Sequence, residues 1–355
     1  IKSNPLTHVL SSINGFGFGL EAASFEETKH AVSVGCSIIC WDSPAKTELE
    51  IEDIASNHPE VFINSNSLKE ATHLSRLKVK NPILLRINPE YAGTAHQSMS
   101  VGTKHSKFGE PISNRAQIIE NLVNHESIVG LHVHTSSQTQ NFEELIESIR
   151  DVIDLANEIG SSRKIPLKWI NIGGGFPVDY SGTEKFKISD YADLLRSNCP
   201  ELFDGSYQAI TEFGRYYHAN TGFTLTQVSE VKSSESKQTI IVHAGADMFL
   251  REAYQPGVWP HQMLLLDQEF QIKNDGVMST DVAGPLCFGG DYLQKTFDFY
   301  KARAGDWLVI KDSGANSIAL WSKHCCMDTT YKTVSVTTGP SVSISGTNIT
   351  CNGAS

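Results

Sequence analysis

Several short stretches of the 355-residue chain carry side chains able to do chemistry. In Asn171-Ile172-Gly173-Gly174-Gly175-Phe176-Pro177 three glycines follow an apolar run. Such a turn brings backbone close to an anion and aims N–H groups at it, although a tight strand-to-helix connection has the same pattern. Glu212-Phe213-Gly214-Arg215 pairs a carboxylate with an arginine. A guanidinium suits a phosphate, and a buried carboxylate needs a cation, which a protonated pyridine nitrogen supplies as well as an internal arginine does. His132-Val133-His134-Thr135-Ser136-Ser137 sets two imidazoles on one face of a strand. That spacing fits a metal pair, or His134 against an aromatic ring with Ser137 toward its phosphate and His132 as a core histidine. Lys2 offers an amine for a Schiff base if a strand end holds it; otherwise it is one more surface lysine. Cys287, in Gly284-Pro285-Leu286-Cys287-Phe288-Gly289-Gly290-Asp291, is a thiol in a loop shaped by glycine and proline, free to act as an acid or to lie inert.

These residues fall at the ends of predicted strands. Apolar, β-branched runs at 16–23, 34–41, 60–64, 83–88, 128–135, 169–173 and 208–212 alternate with amphipathic segments. Ser24…Glu27, Ser67…Glu70 and Asn141…Glu144 have the spacing of helix N-caps, and residues 142–160 put apolar side chains on one face. Alternation of this kind implies parallel strands joined by helices. With the end of an eighth strand near Lys2, residues 1–220 read as an α/β (β/α)8 TIM-like barrel, whose site lies at the C-terminal ends of its strands. An open doubly wound sheet is the alternative. After residue 220 the helical pattern stops, and 223–231, 239–244, 262–271, 307–311 and 331–336 read as strands of a mostly antiparallel β domain spanning 221–355. One barrel mouth then collects Lys2, Glu21, His134, Gly173, Gly174, Gly175, Glu212, Gly214 and Arg215, the groups needed to hold pyridoxal 5′-phosphate.

Composition narrows the partners. A net charge of −11 with dispersed lysines and arginines argues against nucleic acid. No apolar run of about 18 residues is present, so no membrane span is expected. Seven scattered cysteines do not form a disulfide framework and fit a reducing compartment. No set of residues with zinc-site spacing stands out, so no metal is expected. The opening Ile1-Lys2-Ser3-Asn4-Pro5 reads as a fragment whose natural start lies upstream; the cytoplasm is the expected location, without a direct signal for it.

Taken jointly and in order, the motifs resemble the fold-type III pyridoxal-phosphate decarboxylases of ornithine, arginine and diaminopimelate. Ile1-Lys2-Ser3-Asn4 is similar to that family's Schiff-base lysine segment, and Gly19-Leu20-Glu21-Ala22-Ala23-Ser24 to its Gly-x-Asp-x-Ala-Ser turn. Gly130–His134, Gly173–Pro177, Glu212-x-Gly214-Arg215 and Gly284-Pro285-x-Cys287 follow in family order. Leu85–Pro89, Ser106–Gly109 and Ala244–Arg251 resemble the diaminopimelate branch. The resemblance implies that Lys2 carries the cofactor, that His134 stacks on its ring and that Glu212 keeps the ring nitrogen protonated. It also implies that Ser137, Gly173–Gly175 and Arg215 bind the phosphate, and that Cys287 of a partner subunit helps protonate the α-carbon of an amino-acid substrate in a homodimer with shared sites. Arg251, Phe288 and Asp291 are expected to face the substrate.

Three departures stand out against that family pattern. Phe288 occupies a position that is usually acidic, Asn316 replaces a phosphate-touching tyrosine in Gly314-Ala315-Asn316, and Phe213 replaces a proline. A distal ammonium without a carboxylate is costly to bury, so a substrate with an anionic or acylated distal end is expected at least as readily as diaminopimelate. A racemase on the same kind of barrel, a catalytically silent regulatory relative and a metal-dependent barrel hydrolase are the competing readings.

Overall fold

The computed structural model describes residues 1–91, 100–183 and 185–320, and the backbone of 341–345 and 348–352. Seven strands form a parallel sheet in chain order: β1 (Leu20–Ala22), β2 (Ile39–Trp41), β3 (Phe62–Ser65), β4 (Ile83–Asn88), β6 (Ile128–Val133), β7 (Trp169–Asn171) and β8 (Gln208–Ile210). The short β5 (Glu110–Pro111) adds to the end of β4. Helices α1 (Thr7–Gly15), α2 (Phe25–Ser33), α3 (Glu48–Asn57), α4 (Leu68–Leu77), α5 (Arg115–Asn124), α6 (Phe142–Ser162) and α7 (Ile188–Asn198) alternate with the strands. This is the TIM-like arrangement, with seven strands in place. Between β8 and β1 lies the turn at residues 1–4, where the end of an eighth strand was expected.

Local chemistry explains the helix starts. Ser24 and Ser67 accept from the backbone N–H of Glu27 and Glu70, as their spacing requires, and Asn141 accepts from Glu143 rather than Glu144. Thr47 and Glu50 form a complete capping box at α3 that the sequence reading passed over. α6 runs 21 residues and buries Leu145, Ile149, Val152, Ile153 and Ala156 against the sheet. β4 is buried at every position, as expected for a parallel strand covered on both faces. Most strands are shorter than their apolar runs, β1 and β2 the most. Phe16 and Phe18 lie exposed in the turn before β1, and residues 34–38 precede β2, so a run of apolar residues alone overstated both.

A second sheet begins at β9 (Thr224–Ser233) and continues through β10 (Lys237–Val242), β11 (Met263–Leu266), β12 (Met278–Ala283), β13 (Tyr292–Phe299) and β14 (Trp307–Ile310), in the order β11-β14-β9-β10-β12-β13. The pairs are antiparallel except β10–β12, which is parallel. α8 (Gly214–His218) leads into this sheet, and α9 (Leu250–Tyr254) follows β10. The strands β12 and β13 were not foreseen: Ser279, Asp281, Gln294, Lys295 and Asp298 break their apolar runs, as befits half-exposed antiparallel strands. The expected strand at 331–336 lies outside the described residues, while β15 (Ser341–Ser345) pairs with β16 (Asn348–Asn352).

Each sheet has its own apolar core. One contains Trp41, Ile63, Leu85, Leu131 and Ile170; the other contains Val228, Ile240, Leu265, Leu308 and Ile310. A small third cluster of Val178, Tyr180, Ala219, Trp259 and Ala315 joins the two. A large cavity of about 2180 Å³ opens beside this junction, lined from both sheets.

Candidate active site

The turn bearing Lys2 is fixed from two sides. Ile1 N donates to the carbonyl of Glu21 at the end of β1 (2.8 Å), and Asn316 N donates to the carbonyl of Ser3 (2.8 Å). Asn4 Nδ2 reaches the carbonyl of Gly314 (2.9 Å). Gly214 closes the far side, because a Cβ there would come within 2.6 Å of Ser3 Oγ. Asn316, which has a left-handed backbone (φ 57°), therefore acts through its amide on the Lys2 turn and also lines the cavity.

Lys2, Glu21, His134, Ser137, Gly175, Glu212, Gly214, Arg215, Arg251 and Asn316 all line the one cavity. An amine on one side of the barrel mouth and the carboxylate that ends β8 thus face the same space. Gly173 and Gly174 lie behind it. Their N–H groups are already engaged, by Asn171 Oδ1 (2.9 Å) and His134 Nδ1 (2.8 Å) respectively. Of the three glycines Gly175 lines the cavity, while the Gly174 N–H orients His134. A Cβ on Gly174 would meet the Glu212 carbonyl oxygen at 2.6 Å, so the close approach of β7 to β8 is what requires glycine.

Cys287, Phe288 and Asp291 do not line this chain's cavity among the described residues. Cys287 is exposed, and the Phe288 ring packs near Tyr254 with centroids 6.1 Å apart. Asp291 is buried and accepts from the N–H groups of Ala246 (2.6 Å) and Leu286 (2.6 Å), tying two loops together. Within this chain its carboxylate serves the backbone.

Burial and neighbouring charge set the protonation states. Burial, followed by the Arg86 and Lys2 charges, pushes His134 down to about 3, so its ring is neutral and, with Nδ1 accepting from Gly174, carries its proton on Nε2. Burial works to raise Glu212, yet His132 and the Asn171 hydrogen bond outweigh it and hold the carboxyl well below the usual range. Glu21 goes the other way: burial lifts it to about 7, opposed by Lys2 and reinforced by Glu212. The result is one permanent carboxylate, one carboxyl that titrates near neutrality and one neutral imidazole around a lysine.

A second group of cations stands beside them. Arg215 and Arg251 both lie over the Trp259 ring, 4.5 and 5.3 Å from its centroid. Arg215 Nη1 donates to Tyr180 Oη (3.1 Å), whereas Arg251 Nη1 is buried without a hydrogen-bond partner among the described residues. Burial, then Arg215, lowers Arg251 to about 10, and it remains charged at neutral pH. Sequence reasoning missed Asp42, Asn171, Tyr180 and Trp259 as parts of the site. Arg86 was quoted only within a strand motif. Its signal was present, since an arginine inside a continuous apolar strand must find an acid, here Asp42 at 2.9 Å.

The profile of the family described as pyridoxal-dependent decarboxylase, pyridoxal binding domain, matches residues 1–219. The chain belongs to the pyridoxal-dependent decarboxylases. Among relatives of this decarboxylase, the diaminopimelate decarboxylase of Aquifex aeolicus is 28% identical over 337 residues, covering 91% of this chain and 77% of that protein. The diaminopimelate decarboxylase of Helicobacter pylori, solved in complex with L-lysine, superposes with a TM-score of 0.80 at 26% identity, covering 91% of this chain and 80% of that one. The arginine decarboxylase of Paramecium bursaria Chlorella virus shares the fold with a TM-score of 0.76 at 19% identity. The barrel, the β domain and the decarboxylase class expected from the motifs are those of this family.

Proposed function

We propose that this decarboxylase binds pyridoxal 5′-phosphate in the cavity at the barrel mouth and removes the α-carboxylate of an amino acid that carries an anionic or acylated distal group. The observation that carries the reading is the meeting of Lys2, neutral His134 and ionised Glu212 around one cavity that Arg215 also lines. The chemical types and their order fit the cofactor: an amine for its aldehyde, a flat uncharged ring for its face, a carboxylate for its ring nitrogen and a guanidinium with Ser137 for its phosphate. When bound, the cofactor supplies the sink for the electron pair left as carbon dioxide departs. His134, neutral, covers the ring without adding charge that would oppose Glu212. Glu21, titrating near 7, is placed to hold or release a proton beside Lys2.

Arg251 supports the substrate preference. A guanidinium that lines the cavity and keeps one nitrogen without a hydrogen-bond partner among the described residues favours a distal carboxylate, and the family relatives named for diaminopimelate are consistent with it. The site is completed, in this reading, by Cys287 of a second copy, because this chain's own Cys287 is exposed and stands outside its cavity. We further propose the division near residue 220 between cofactor-binding barrel and β domain, supported by the two separate cores.

Purified protein supplied with pyridoxal 5′-phosphate is expected to show a visible absorption band that borohydride bleaches, and Lys2→Ala is expected to lack it. Carbon dioxide release measured across diaminopimelate, lysine, ornithine and distally acylated amino acids tests the substrate. Equal turnover of all of them counts against the role of Arg251, and inversion without carbon dioxide release counts for a racemase.

A further inference from the structure

His132 has no role in the cofactor contacts above, yet it lies at the centre of the polar layer beneath them. It is fully buried, and its Nε2 has no hydrogen-bond partner among the described residues while lying 3.7 Å from Glu212 Oε2. On the other side of the ring, Asn64 Nδ2 is 3.3 Å from Nδ1 and Asp42 Oδ1 is 3.7 Å away. Asn64 is within hydrogen-bond distance and Asp42 is not, and Asp42 is neutralised by Arg86 at 2.9 Å. An amide N–H pointing at Nδ1 requires a lone pair there, which puts the ring proton on Nε2. The opposite tautomer would turn a lone pair toward the Glu212 carboxylate inside a low-dielectric layer, where repulsion is strong.

Among the described residues Glu212 has one close side-chain donor, Asn171 Nδ2, on Oε1 at 2.7 Å. Its Oε2 faces the His132 Nε2 edge across a gap slightly longer than a hydrogen bond. Catalytic hydrogen bonds are commonly long in empty sites and close when the ligand arrives. We propose that His132 is the positioning residue of Glu212: Asn64 holds its proton on Nε2, and from there it donates to Oε2, so that two donors fix the carboxylate toward the ring nitrogen of the bound cofactor. This rests on the cofactor reading given above. Strands β3, β6 and β7 and the end of β8 supply one residue each to the chain Asn64–His132–Glu212–Asn171, so its geometry is set by the register of the sheet.

Two variants separate a donor from a mere filler. Gln at this position can place an amide N–H near the former Nε2, while Asn is too short to reach Glu212. Equilibrium binding of pyridoxal 5′-phosphate, followed by absorbance, is expected to weaken about tenfold or more in His132→Asn and to stay within about threefold of wild type in His132→Gln. Equal loss in both variants, or loss in neither, overturns the proposal. Two-bond 1H–15N imidazole spectra of the cofactor-free wild type, with His132 identified by its absence in the Asn variant, are expected to show a protonated Nε2. An unprotonated Nε2 overturns the proposal whatever the variants do. Failure of the wild type to bind pyridoxal 5′-phosphate overturns the cofactor reading instead, and the tautomer then decides the case of His132.

Discussion

At the scale of single residues, the site depends on placing like groups in unlike environments. Glu21 and Glu212 are both half-buried carboxyls on the cavity wall, yet one is lifted to about 7 and the other is held below the usual range, because His132 and Asn171 serve only the second. Replacing Glu212 with Gln keeps the size and removes the charge; decarboxylation is expected to fall on the order of a hundredfold while folding persists. Steady-state rates beside a melting curve check this. Glu21 has its own signature in stability. Its carboxyl is raised in the folded state from 4.5, so the stability linked to it is fully present below that value and is lost as pH rises through about 7. The unfolding midpoint of the wild type is expected to decline over that interval, and that of Glu21→Gln to decline less. Parallel curves for the two proteins would show that Glu21 is not the group responsible.

At the scale of elements, the strands end where the chemistry is, and the turns after them are packed backbone to backbone. Gly174→Ala would drive a methyl into the Glu212 carbonyl and against the His134 ring, 3.2 Å from Cε1. The expected result is both a loss of about 1–3 kcal/mol, as for overpacking elsewhere, and weakened cofactor binding, read by denaturant unfolding and by absorbance. Thr47→Ala is the contrasting case. It removes the capping box of α3, none of whose residues lines the cavity, and is expected to cost about 1 kcal/mol with cofactor binding unchanged. The pair shows whether stability lost at a turn and stability lost at a helix end have different consequences for the site.

At the scale of the whole molecule, the cavity gathers residues from both sheets. Lys2 and Glu212 come from the barrel, Arg251 follows β10 of the second sheet, and Trp259 from the junction carries both arginines. Cys287 stands outside that cavity in the same chain. If a second copy supplies it, Lys2→Ala and Cys287→Ala proteins are each inactive alone and regain partial activity when mixed and allowed to exchange subunits. Light scattering of each variant checks that both assemble. Activity in Cys287→Ala by itself equal to wild type would remove the thiol from the reaction.

Much of this was legible in one dimension, because strand-ending motifs carry their chemistry in local order. The glycine turn after β7, the carboxylate and arginine after β8, the H-x-H strand and the serine caps are all set by residues within a few positions of one another, where alternation and capping act. Tertiary structure decided what depends on groups far apart in the chain. It spent the N–H groups of Gly173 and Gly174 on Asn171 and His134, turned Asp291 inward to two loop amides, and used the Asn316 backbone to clamp the Lys2 turn. It also placed Asn64 and Glu212 on opposite edges of His132. Hydrogen bonds and charges act over a few ångströms of space whatever their separation in sequence, so only the folded sheet could say which of the candidate groups were free to meet a ligand.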